Sequence, residues 1–229
     1  MCRFFIFAIL CYLSSVSLFA QSGVISSFDT YNSISPYRDV PHKGTYLFFD
    51  SMWVHAKVVT ANNQVIQNDS LFFNFNKLTQ SLLITQDFRK IFEVDKSKFE
   101  SVTFFVNDTI YIFEHVNTIN KRDFFQELIR DDNKYSLYKF TLTTIKPVDY
   151  HSNGFVTEGN DYVEFLDNSI YYIVITNKEY RVLKRIDKKS IEKAFKLSND
   201  GKKTADWLSA KNKINGENDL SDLVLYLNE

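Results

Sequence analysis

The sequence predicts an α+β fold: a mostly antiparallel β meander, closed into a barrel or folded into a sandwich, followed by a C-terminal module of about three short helices. Three observations carry this. From Gly44 onward, short runs rich in Phe, Tyr, Ile, Val and Thr alternate apolar with polar positions, the period of a half-buried strand. Clusters of Asn, Asp, Ser and Gly separate the runs, as hairpin turns require. From residue 187 the apolar spacing changes to i, i+3, i+4, the period of a helix.

Taken in chain order, Met1 to Ala20 reads as a signal peptide: Arg3, an apolar run from Phe4 to Leu13, then small residues and Ala20. Phe4 to Phe19 is shorter than a membrane span and is interrupted by Ser14, Ser15 and Ser17. Cleavage is expected after Ala20 or after Ser17. Both cysteines, Cys2 and Cys11, fall in this segment, so an exported chain of about 209 residues would hold no disulfide. Residues 21–43 are polar, with Pro36 and Pro41, and read as a linker or loosely docked arm.

A β-rich domain is expected over 44–186. Its strands are Tyr46 to Phe49, Met52 to Val59, Leu71 to Phe75, Leu82 to Ile84, Ile91 to Val94, Val102 to Val106 and Thr109 to Val116, then Phe124 to Arg130, Tyr135 to Thr144, Tyr162 to Leu166, Ile170 to Thr176 and Glu179 to Leu183. In the second, Val54, Ala56 and Val58 share one face. Phe124 to Arg130 also fits a helical stripe, but Asp131-Asp132-Asn133 favours a hairpin there. The tail, 187–229, is expected to pack on this domain. Its helices are Lys188 to Lys196, Lys202 to Lys211, and one capped by Asn218 with Leu220, Leu223, Val224 and Leu227 on a single stripe.

Chemistry is sparse. The four histidines are scattered and no cysteine follows residue 11, so no metal site and no cofactor are expected. No nucleophile elbow or Gly-rich phosphate loop occurs. The densest acid and base grouping is Asp149, His151, Glu158 and Asp161, where Asp149 and His151 would share a strand face. Asn153-Gly154 between them makes a hairpin the simpler reading. Asn68-Asp69-Ser70, Asn107-Asp108-Thr109 and Asp167-Asn168-Ser169 likewise read as turns; the first two also have the form of glycosylation acceptors.

Charge is segregated. The whole chain carries −1, yet 21–176 carry −5, 177–213 carry +7 and 214–229 carry −4. Lys184, Arg185, Lys188, Lys189, Lys193 and Lys196 are therefore candidate ligands for an anionic polymer or headgroup, unless they form a solvated face neutralised by the acidic body.

Lys188-Lys189-Ser190-Ile191-Glu192-Lys193-Ala194-Phe195, a Lys-rich second helix, Lys211-Asn212-Lys213-Ile214-Asn215 and Asp219 to Asn228 resemble the end of a family of uncharacterised exported bacterial proteins. The early Trp53 strand and Asn74-Phe75-Asn76 are similar to the body of that family. The resemblance implies export to the periplasm or cell surface and a β-rich body with a helical tail; it implies no activity. The expected function is that of a noncatalytic cell-envelope protein binding another envelope protein or an anionic polymer, with at most peripheral membrane contact and no nucleic acid. A hydrophobic-ligand carrier with a β-barrel cavity is the alternative, and a hydrolase using the region from Asp149 to Asp161 a third. Oligomeric state is not legible.

Overall fold

The computed structural model describes residues 30–32 and 41–229, apart from 153, 177 and 197. The expected signal peptide lies outside the described residues. Within the segment read as an arm, β1 (Thr30–Asn32) and β2 (His42–Lys43) are strand-paired. The body continues with β3 (His55–Thr60), β4 (Val65–Gln67), β5 (Phe72–Asn76), β6 (Ser81–Thr85), β7 (Phe92–Val94), β8 (Phe99–Val106) and β9 (Thr109–Val116). It ends with β10 (Asn120–Ile129), β11 (Tyr135–Lys146), β12 (His151–Ser152), β13 (Thr157–Glu158), β14 (Val163–Ile175) and β15 (Glu179–Leu183). Three helices close the chain: α1 (Lys188–Phe195), α2 (Gly201–Ala210) and α3 (Glu217–Asn228).

A nine-stranded sheet runs in the order β15, β14, β11, β10, β9, β8, β3, β4, with β2 parallel to β14. The remaining ladders of this sheet are antiparallel. A four-stranded sheet, β1, β7, β6, β5, is tied to it where Val54 bridges Phe73. Among the described residues the large sheet stays open between β4 and β15, so a sandwich half is observed and no closed barrel.

Strand alternation sets which residues meet. Phe113, Gln126, Lys139, Tyr171 and Leu183 are successive register partners across β9, β10, β11, β14 and β15, so they share one face. At the Phe113 end that face packs on the small sheet. There Val58, Phe73, Phe75, Phe99, Phe104 and Phe124 belong to a core drawn only from residues 49–124. At the Leu183 end it packs on the helices, where Leu137, Ile173, Ile191, Phe195, Leu223 and Leu227 belong to a core of buried residues from 135–227. A polar seam lies between the two. Lys77, in the turn between β5 and β6, pairs with Asp167 at 2.6 Å, Thr143 donates to the same carboxylate at 2.6 Å, and Lys139 pairs with Glu217 at 2.7 Å. The opposite face carries a smaller cluster of Val116, Phe125, Tyr138 and Val174.

Several expectations are corrected. Asp167-Asn168-Ser169 is no turn, and the two strands expected on either side of it are one continuous β14. Lys77 and Thr143 satisfy the Asp167 carboxylate across the sheet, which lets turn-type residues sit in a strand. Tyr46 to Phe49 makes a single bridge, Leu47 to Asn76, because the buried Asn74 amide holds this stretch as a loop. Its Oδ1 accepts from the Phe49 amide at 3.2 Å and its Nδ2 donates to the Met52 carbonyl at 2.9 Å. The last helix starts at Glu217 behind Gly216, not behind Asn218. Gly216 has φ 78°, which a glycine adopts without strain, and Asp219 reaches back to the Lys211 ammonium at 2.8 Å. Of the segment Phe124 to Arg130, Phe124 to Ile129 is strand within β10, as the hairpin signal after it indicates.

Candidate functional site

The basic stretch of the tail becomes a groove. β15 ends at Leu183, the chain turns, and the Asp187 carboxylate caps α1 by accepting from the Ser190 amide at 2.8 Å. That cap holds Asp187 below the usual carboxylate range. Ile191 and Phe195 bury into the helix-side core together with Leu183, which draws α1 alongside β15. A groove of about 450 Å³ lies between them. Four cationic residues line it, Arg181, Lys184, Arg185 and Lys193, together with Val182, Leu183, Ser190 and Ala194. Among the described residues no carboxylate belongs to that lining, though Glu179 pairs with Arg181 beside it.

Of the six basic candidates, Lys184, Arg185 and Lys193 thus come together. Lys189 and Lys196 are exposed on α1 and its C-cap, four before and three after Lys193, so they extend its stripe. Lys188 does not contribute: its half-buried ammonium donates to the Lys211 carbonyl and fastens α1 to the end of α2. Arg181 was not among the sequence candidates. Its signal was strand parity, since it lies two residues before Leu183 and so shares that residue's face. Glu179 holds the guanidinium through two contacts of 3.2 Å.

The acidic grouping is spread along a hairpin. β12 pairs with β13, His151 opposite Glu158, and both side chains are exposed. Asp149 closes the base: its Oδ1 accepts from the Asn160 amide at 2.6 Å, which keeps the carboxyl below its ordinary range. Gly159 permits that closure, because a Cβ there would lie 2.1 Å from the Asp149 carbonyl oxygen. Asp161 is exposed beyond it. The four residues are not gathered into one constellation.

A cluster that local sequence patterns do not show lies on the opposite face of the sheet. Arg130 Nη1 donates to both oxygens of Glu114, at 2.9 and 3.0 Å, and to Glu127 at 3.2 Å, while the Tyr138 hydroxyl donates to Glu114 at 3.0 Å. Burial, and then Glu114, push the Tyr138 hydroxyl well above its ordinary value. Nearby, Phe125, Phe140, Tyr172 and Tyr180 line a small hollow beside Asp123, whose carboxylate already binds Lys96 at 3.1 Å and Asn120 at 2.7 Å. Both arrangements are satisfied internally. Among the described residues no three His, Cys, Asp or Glu side chains gather to hold a metal ion, and no helix is long and apolar enough to cross a membrane.

No protein-family model, curated protein or solved structure matches this chain.

Proposed function

We propose that the chain is an exported, noncatalytic protein of the cell envelope that binds an anionic partner or polymer in the groove between β15 and α1. The observation that carries this is the lining itself: Lys184, Arg185 and Lys193 together with Arg181, which Glu179 partly neutralises, beside apolar surface. Cations held together around a concave surface focus the field and raise the local concentration of an anion, an attraction that salt screens. Export is supported by the pattern of Met1 to Ala20. The carrier reading needs a barrel lumen, whereas here the sheet is open and side chains such as Phe75, Phe113 and Phe124 pack its core. The hydrolase reading needs an assembled acid and base; His151 and Glu158 instead stand on an exposed two-stranded hairpin.

Titration of labelled dextran sulfate tests the groove. Binding should weaken steeply with salt and fall at least about tenfold in a Lys184→Glu, Arg185→Glu, Lys193→Glu variant. Equal binding by that variant sinks the reading. An N-terminus near Gln21 or Leu18 in protein from its native host is the expected mark of export.

A further inference from the structure

We propose that the groove takes up an extended acidic segment of a partner protein, added to the large sheet as a strand beyond β15. The inference rests on the reading of the groove as an anion site and names its occupant. Among the described residues β15 is the terminal strand of the sheet, paired on one side only, with β14. A terminal strand presents a row of backbone N–H and C=O groups that another strand can complete. The cationic lining stands beside that row.

The two faces of β15 dictate the sequence of the incoming segment. Arg181 and Leu183 share the helix-side face through their partners Ile173 and Tyr171, and α1 adds Ser190, Lys193 and Ala194 beside them. Tyr180 and Val182 project to the other face, where they are 38% and 43% exposed. A strand laid against β15 would alternate in the same way, its directly opposed side chains at about 4.5–5.5 Å. Residues facing α1 meet Arg181 and Lys193 and are best acidic; those facing away meet Tyr180 and Val182 and are best apolar. Lys184 and Arg185, just past the strand, receive an acidic residue at the end of the segment.

The same cations disfavour the commonest rival. A second copy of this chain pairing edge to edge would bring two copies of the cluster of Lys184, Arg185 and Lys193 close to one another, a like-charge proximity that works against self-association. A helix or a polyanion would answer the charges but leave the strand edge unpaired.

The test uses the intact protein from its host and four probes: a capped peptide of alternating Glu and Val, the same peptide N-methylated at every residue, a Lys and Val analogue, and dextran sulfate. The Glu and Val peptide should bind. N-methylation, which removes ladder donors and keeps every charge, should weaken it at least about tenfold, as should Lys184→Glu with Lys193→Glu. The Lys and Val analogue should not bind, and hydrogen exchange should slow at the β15 amides on binding the acidic peptide. If the methylated peptide binds equally, or dextran sulfate binds and the acidic peptide does not, strand addition is wrong while the anion site stands. If neither acidic probe binds, both readings fall.

Discussion

Arg130 serves two carboxylates with opposite needs. Glu114 holds it through two oxygens and also accepts the Tyr138 hydroxyl, so Glu114→Gln should lower stability by about 1–2 kcal/mol. Glu127 is different: burial is the main cause that raises its pKa, and Glu114 and Asp132 push the same way against Arg130. A carboxyl with a folded pKa above its unfolded one contributes stability that is fully present below the unfolded value. That contribution is lost as pH rises through the folded value. Glu127→Gln should therefore match or exceed the wild-type melting temperature at neutral pH, with the difference shrinking as the solution is acidified. Thermal melts of both variants across the acidic range check this, and a neutral-pH loss in Glu127→Gln equal to that of Glu114→Gln would contradict it.

The helical tail is fastened as part of the fold. Leu220, Leu223, Val224 and Leu227 are buried against residues such as Leu137 and Ile173 of the sheet. The Asn228 side chain bonds both the amide and the carbonyl of Tyr135, at 3.0 and 2.9 Å, so the end of α3 grips the start of β11. Leu223→Ala should cost about 2–5 kcal/mol, and deleting 217–229 should leave a poorly soluble body, measured by denaturant titration and by sedimentation. A truncated chain that stays monomeric with the same midpoint would make the tail a separate module. These elements were legible because each has a local period: Val54, Ala56 and Val58 alternate into the core, and Leu220, Leu223, Val224 and Leu227 recur at helical spacing. What escaped was set by distant partners. Asp167 looks like a turn residue until Lys77, 90 positions away, is brought beside it. Glu114 and Arg130 meet only once the register of β9, β10 and β11 is known. In the groove, Lys184, Arg185 and Lys193 could be read from charge alone, but Lys188 could not be set aside until its bond to the Lys211 carbonyl was seen.

At the scale of the molecule, one sheet face supports two cores, joined by the continuous ladders of β9, β10 and β11 and by the polar seam. Lys77 is nearly enclosed, with 8% of its side chain exposed, while its partner Asp167 is 45% exposed. Asp167→Ala would strand an almost buried ammonium and should cost about 1–3 kcal/mol, discounted for the water that reaches the carboxylate. Because that pair joins the β5–β6 turn to β14, the loss should also uncouple the halves. In a Trp53→Phe background, which leaves Trp207 on α2 as the reporter, fluorescence and far-ultraviolet dichroism should share one midpoint; with Asp167→Ala added they should separate, and coincident transitions would argue against coupling through this pair. The cores also divide along the chain, one built from residues 49–124 and the other chiefly from buried residues 135–227. A polypeptide delivered N-terminus first, from a ribosome or through a membrane pore, completes every residue of the sandwich core before the first strand of the helix-side core arrives. Order of delivery and order of burial then coincide, and the early half need not wait with its phenylalanines exposed.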